Sequence, residues 1–344
     1  MHDFFSNTLL ALRQVVMLYG IVAIGFAAER IHWFPEETAR RCTQLLLYVI
    51  TPCVILKSFF VMENTAEARH GLVVALGAGV LLHAAGILMS EPFFRGKNPA
   101  ATDPILHYGA IYGNCGYMAL PLAEAMAGSN GVFFGSVVIL TFQVFSFSHG
   151  EFVMAGGVVR RKSVARVLGD PLQICPDEAG ALRQAVKFDW KKLFLNAGVL
   201  AVAVGLPLFM LKIPVPEVVR TPVQSVAAMN SPLAMLMFGA YLSRTDFGRT
   251  AALLRNKKFY AALLIKLFGI PLAVLALLLL LGARGPLLKA VMISATAPCA
   301  NNTVIFAAKH GRDAGFAALT VGIVSILSIL TMPLMIAIGL SLSR

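Results

Sequence analysis

The apolar residues of this chain come in repeated runs of about 20, the length a helix needs to cross a hydrocarbon core of about 30 Å. With turn signals and charge clusters taken as breaks, such runs fall near 8–28, 42–61, 71–90, 104–127, 131–155, 193–211, 222–243, 259–281, 286–308 and 314–340. In lipid every backbone polar group must be satisfied within the protein, and runs of this length select helices. The sequence therefore predicts an all-α membrane protein of ten transmembrane helices. Its 58% hydrophobic and 13% charged residues, against roughly 25% charged in soluble domains, leave little chain for anything outside the bundle. Asp103 followed by Pro104 suits the start of the fourth span, because proline is pre-organised for the first helical turn.

The net charge of +12 does not point to nucleic acid, which needs a clustered basic face. Here the cations alternate between connections. One set holds Arg30, Arg40, Arg41; Arg95, Lys97; Arg160 to Lys192; Arg244, Arg249, Arg255, Lys257, Lys258; and Lys309, Arg312. The other set holds Arg69, Lys212, Arg220, Arg284, Lys289 and the terminal Arg344. Basic loops stay in the cytoplasm, so the first set is expected there, in a cytoplasmic membrane, with both termini extracytoplasmic. Met1 to Thr8 carries no basic cluster, and no removable signal peptide is expected. The cysteines (Cys42, Cys53, Cys115, Cys175, Cys299) form no C-x-x-C pair, so neither a disulfide framework nor a metal site is expected.

The chain also matches itself without gaps at an offset of 180 residues. Val22, Ala23, Gly25, Glu37, Arg40, Gln44, Pro52 and Leu56 recur as Val202, Ala203, Gly205, Glu217, Arg220, Gln224, Pro232 and Leu236. Glycine, proline, glutamate and arginine keeping register across a span, a loop and a second span indicate duplication. Five spans separate the copies, so the halves insert in opposite directions, giving two inverted five-helix repeats. The expected organisation is a first repeat at 1–155, a cytoplasmic connection at 156–192 and a second repeat at 193–344. Inverted repeats of this kind place the binding site where interrupted helices meet near the midplane.

Spans four and nine carry the interruptions. The fourth contains Tyr112-Gly113-Asn114-Cys115-Gly116-Tyr117 and Pro121; the ninth contains Ala297-Pro298-Cys299-Ala300-Asn301-Asn302-Thr303. Glycine lowers helix propensity, proline removes a donor, and asparagine competes for backbone hydrogen bonds. A broken helix exposes backbone N–H groups that favour an anion, and Asn114, Asn301 and Asn302 add neutral amide donors suited to a carboxylate. Two readings stand side by side: an anion site, or a proline kink whose asparagines satisfy the freed backbone.

Three motifs make the chain similar to the auxin efflux carrier family, which includes plant PIN-type exporters and bacterial malate and malonate permeases. They are Gly113 to Leu122, the Ser231 to Ala240 run, and Ala297 to Gly311. The resemblance implies a fold related to bile-acid and sodium/proton transporters, with broken crossover helices 4 and 9. It implies an elevator mechanism, a scaffold of spans 1, 2, 6 and 7, a transport domain of spans 3–5 and 8–10, and a homodimer. It places Asn114 at the family's crossover asparagine, against the substrate carboxylate, and Pro121 and Pro298 at its helix-breaking prolines. Where Thr303 stands, plant members carry another proline, and the short 5–6 connection lacks their long regulatory loop. The expected substrate-binding set is Asn114, Cys115, Gly116, Pro121, Pro298, Asn301, Asn302 and Thr303.

Ionisable residues inside spans are functional candidates by default. Here they are Lys57, His83, Glu124, His149, Glu151 and Lys266. Lys57 and Lys266 read as snorkelling toward span ends, and His149 and Glu151 as a solvated helix end. Glu124, three residues after Pro121, either stabilises a helix start or couples an ion. His83 is either a satisfied interior histidine or a proton relay. No aspartate lies in either crossover, which argues against a cation antiporter.

No H-E-x-x-H, G-x-S-x-G or Walker lysine loop is present, so the chain does not read as an enzyme and needs no cofactor. The function expected is secondary transport of a small organic anion, with membrane lipid and a second copy as partners. The alternatives are a sodium- or proton-coupled symporter of a larger amphipathic acid, or a non-transporting receptor.

Overall fold

A computed structural model describes residues 2–33, 35–94, 100–155 and 197–342. The connection expected at 156–192 and Cys175 lie outside them. Among the described residues the fold is all-helical, without strands, and seven helices are long and apolar enough to cross a membrane. In chain order the elements are α1 (His2–Arg30), α2 (Glu36–Leu45), α3 (Thr51–Val61), α4 (Ala66–Phe94), α5 (Asp103–Ile111), α6 (Leu120–Phe145), α7 (Glu151–Ala155) and α8 (Ala197–Met210). There follow α9 (Glu217–Ala228), α10 (Asn230–Ser243), α11 (Thr250–Arg255), α12 (Lys257–Leu264), α13 (Ile270–Leu280), α14 (Gly285–Thr296), α15 (Asn302–Lys309) and α16 (Ala314–Leu342).

Seven full-length helices, where ten spans are expected, arise from breaks at identifiable residues. The continuous run Cys115–Ala155 holds 41 residues, about 60 Å at 1.5 Å per residue and twice a membrane crossing. Within it Gly128 has φ 59° and ψ −151°, outside the helical region and open to glycine, so the helix direction changes there. The expected fourth span is further divided by a break between α5 and Cys115, and the ninth by a break between α14 and α15. The sixth is the short apolar helix α8, which begins at the first described residues of the second half.

Among the described residues four π-helical turns interrupt the helices: Leu46–Ile50, Cys115–Ala119, Ser146–Gly150 and Ile265–Gly269. Three of them end two residues before a proline, at Pro52, Pro121 and Pro271. A proline inside a helix lacks an N–H and collides with the carbonyl four residues back, and the wider π turn accommodates both defects.

Packing is closest where small residues meet backbone. α1 lies against α10 and α16, α3 against α8 and α9, and α6 between α4, α3 and α14. A Cβ on Gly25 would stand 2.1 Å from the Leu236 carbonyl oxygen, and one on Gly239 would stand 2.0 Å from that of Val22. Large apolar side chains left exposed, such as Ile24, Val73, Val80, Leu88, Val204 and Leu330, form the exterior of a helical bundle whose solvent is lipid.

Ion pairs gather where the basic connections meet. Arg244 bonds Glu29 at 2.9 Å, Lys258 bonds Asp103, Lys309 bonds Glu151, and Arg249 holds Asp313 at 2.7 Å. Asp313 also accepts the Phe316 N–H at 2.8 Å, capping α16. The Arg249 guanidinium, with that N–H, holds the Asp313 carboxyl below the usual carboxylate range. A depressed folded value stabilises the fold above the unfolded value near pH 4, and that contribution disappears as pH falls through the folded value. Asp313→Asn should therefore lower the unfolding temperature at pH 7, and its difference from wild type should shrink toward pH 3. The pair is half exposed, so the effect should be small and weaken with salt.

Candidate functional site

The two breaks meet. α5 ends at Ile111, Tyr112 is extended (φ −90°, ψ 114°), and Asn114 (φ −77°, ψ 63°) leads into the π turn Cys115–Ala119. On the other side α14 ends at Thr296 and Ala297 turns out of the helix (φ −58°, ψ 135°). The proline that follows explains this, because a residue before proline is pushed away from the α region. Gly113 and Cys299 then pair as an isolated antiparallel bridge. The Asn114 N–H donates to the Pro298 carbonyl at 2.7 Å, and the Ala300 N–H to that of Tyr112 at 2.9 Å. Each break thus satisfies part of the other's freed backbone, which an apolar interior requires.

Every residue from Asp103 to Cys115 and from Val291 to Ala300 is buried, so the crossing lies in the deepest part of the bundle. The Asn114 side chain is divided between two tasks. Its Oδ1 accepts the Tyr117 N–H at 3.2 Å and caps the π turn. Its Nδ2, in a residue 2% exposed, has no partner among the described residues.

The remaining expected site residues surround this point unequally. Cys115 is buried and Gly116 half-buried, with open space where a Cβ would project. Pro298 lies within its break, whereas Pro121 lies seven residues beyond Asn114, as the second residue of α6. Pro121 is therefore not the breaking residue of its span; the chain leaves the helix at Tyr112 to Asn114. Asn301 precedes α15 without a side-chain cap bond, and Asn302 reaches the Tyr108 hydroxyl. Thr303 is fully buried with its hydroxyl unpartnered among the described residues.

Aromatic side chains back the crossing. Tyr112 donates to the Phe145 carbonyl at 3.0 Å and bonds His149 Nδ1 at 2.9 Å, while Tyr108 bonds Ser146 at 2.6 Å. His83 is fully buried, bonds the Gly79 carbonyl at 2.7 Å through Nδ1, and stacks on Phe145 at 5.1 Å. Its Nε2 has no partner among the described residues.

Three of the intramembrane charges stand differently from the expectation. Glu124 and Lys57 form an ion pair at 2.9 Å between α6 and α3, so Lys57 is held by a carboxylate rather than simply snorkelling. Glu151 pairs with Lys309 rather than being merely solvated. Lys266 does not snorkel: it is fully buried, and its Nζ stands 2.7 Å from where a Cβ on Gly113 would be. Lys266 follows Lys258 by eight residues, about 12 Å along a helix, farther than a lysine side chain extends. That depth was the signal in the sequence.

A helical bundle with several apolar spans and a polar break buried at its centre is a multi-pass membrane protein. A family model described as "Membrane transport protein" matches residues 10–336, and the chain belongs to that family, the auxin efflux carrier family of membrane transporters. No curated protein matches the chain.

Proposed function

We propose that this membrane transport protein is a secondary carrier for a small organic anion, a carboxylate such as malonate, malate or an auxin-like acid. The observation that carries the proposal is the buried crossing itself. Two antiparallel broken segments leave the Asn114 amide nitrogen without a partner among the described residues, and a buried donor in that condition is costly unless a ligand completes it. Asn114, Cys115, Gly116, Pro298, Asn301, Asn302 and Thr303 form the proposed site, with Pro121 supporting it through the start of α6.

Two inverted five-helix repeats are the proposed organisation. Their support is the register of the duplication in the packing: Gly25 meets α10 of the second half, and its counterpart Gly205 meets Phe59 of α3 in the first. Both paired helices break at matching places, at Leu46–Ile50 before Pro52 and at Met229 before Pro232. On this reading α1, α2, α3, α8, α9 and α10 make the scaffold, a second copy docks on it, and the remaining helices move as an elevator. The basic connections face the cytoplasm and both termini lie outside.

A small acid fits better than a large ring. Tyr112 and Phe306 are buried and occupied, the first by Phe145 and His149, the second against Tyr108 at 5.5 Å.

The test is counterflow of labelled malonate, malate and indole-3-acetate in proteoliposomes, with and without sodium. Wild type should exchange at least one acid saturably, and folded Asn114→Ala should lose about tenfold or more, as expected for removing a buried hydrogen-bonding group to a charged ligand. Exchange of none of the acids would overturn the carrier reading. Equal exchange by both proteins would move the site away from Asn114.

A further inference from the structure

The most unusual group in the molecule is the Lys266 side chain. It projects from the π turn Ile265–Gly269 between α12 and α13, a kind of turn that often marks functional positions. It is fully buried, and its Nζ has no hydrogen-bond partner among the described residues. Its end lies against the crossing: a Cβ on Gly113 would meet Nζ at 2.7 Å and the Ala297 carbonyl oxygen at 3.1 Å. The missing side chain at Gly113 is what leaves room for the ammonium beside the bridge.

An ammonium in a dry interior is costly unless it is paired. Among the described residues, carboxylates are engaged by other cations: Glu124 with Lys57, Asp103 with Lys258, Glu151 with Lys309, Glu29 with Arg244, Asp313 with Arg249 and Glu37 with Arg41. The titratable groups that interact electrostatically with Lys266 include the Cys115 and Cys299 thiols and His83, none of them a carboxylate. A lysine kept for packing alone would be replaced favourably by an apolar chain of the same length. One kept for a ligand would stand where this one does, beside Gly113 and one residue from the unpartnered Asn114 amide.

We propose that Lys266 is a substrate-binding residue, the built-in cation that pairs with the carboxylate of the transported anion at the crossing, with the Asn114 amide donating to the same group. This deepens the carrier reading and rests on it. The anion would bring the counter-charge that none of the described residues supplies as a salt bridge to Lys266, so the site would be electrically complete only when loaded.

The experiment uses the full chain in proteoliposomes and detergent, with wild type, Lys266→Met and Lys266→Gln, probed with malonate and its neutral diamide. Lys266→Met should keep or raise the unfolding temperature without ligand, because it removes an unpaired buried charge. It should also weaken malonate half-saturation by about tenfold or more, as truncating one partner of a buried charge pair does. The unfolding-temperature rise that malonate gives wild type should disappear in both variants, and the diamide should stabilise none of the three. Half-saturation within twofold of wild type in a folded variant would overturn the assignment while leaving the carrier reading intact. A fall in ligand-free stability with unchanged half-saturation would make Lys266 structural. Failure of wild type to bind or exchange any of the acids would overturn both.

Discussion

Gly239→Ala should unfold or severely destabilise the protein, although it adds one methyl group. That methyl would stand 2.0 Å from the Val22 carbonyl oxygen and 2.7 Å from the Phe26 nitrogen, and backbone cannot rotate away as a side chain can. α1 and α10 would have to separate, giving up contacts along their whole interface. Small residues that let backbones approach are the main source of helix association in lipid, where no hydrophobic drive between helices exists. Overpacking commonly costs about 1–3 kcal/mol, and a clash with backbone belongs at or above the upper end. Gly25→Ala, facing the Leu236 carbonyl at 2.1 Å, should behave alike, and the double variant should be less than additive because both mutations open the same interface. Gly20 and Gly77 have nothing within 4 Å of the Cβ position. Their alanine variants should melt at or slightly above wild type, since alanine is the better helix former by about 1 kcal/mol. Thermal unfolding in detergent compares all five variants, and a Gly239→Ala melting curve like that of Gly77→Ala would rule out the close approach.

The local chemistry of this protein was legible in the sequence, and its long-range pairings were not. Gly113, Asn114 and Pro298 mark breaks because glycine, asparagine and proline act on the backbone at their own positions, and the structure breaks at those positions. Pro121 misleads because its defect is absorbed by the π turn Cys115–Ala119 before it, and a proline alone does not tell a π turn from a break in the helix. The bridge between Gly113 and Cys299 joins residues 186 positions apart, so only the interrupted spans, and not their pairing, could be read. Lys57 and Glu124 were visible as isolated charges, yet their contact depends on how α3 meets α6. Nearness to a span end suggests that Lys266 snorkels, whereas its depth from Lys258 and its proximity to Gly113 decide where it lies. The duplication at offset 180 was legible because rare residues held their register. Its consequence for packing, Gly25 on one half's partner and Gly205 on the other's, needed coordinates.

Removing either member of the Lys57–Glu124 pair should cost more than removing both. The two side chains are 23% and 30% exposed and 2.9 Å apart, so each leaves the other as a lone charge near the end of a span when it is truncated. A lone charge at the bilayer centre costs about 2.5–3.5 kcal/mol on insertion scales. Partial exposure reduces that here to about 1–2 kcal/mol. Lys57→Met and Glu124→Gln should each lower the unfolding temperature, and the double variant should recover most of the loss. Equal additive losses in the cycle would show that the two chains snorkel independently with no coupling. The pair also bears on mechanism, because in the proposed elevator α3 belongs to the scaffold and α6 to the moving part, so the ion pair would tie the two together in this conformation. The double variant should then exchange substrate at least as fast as wild type. A folded Glu124→Gln protein that exchanges normally but no longer responds to a proton or sodium gradient would instead assign Glu124 to ion coupling, with Lys57 holding its carboxylate when the ion is absent.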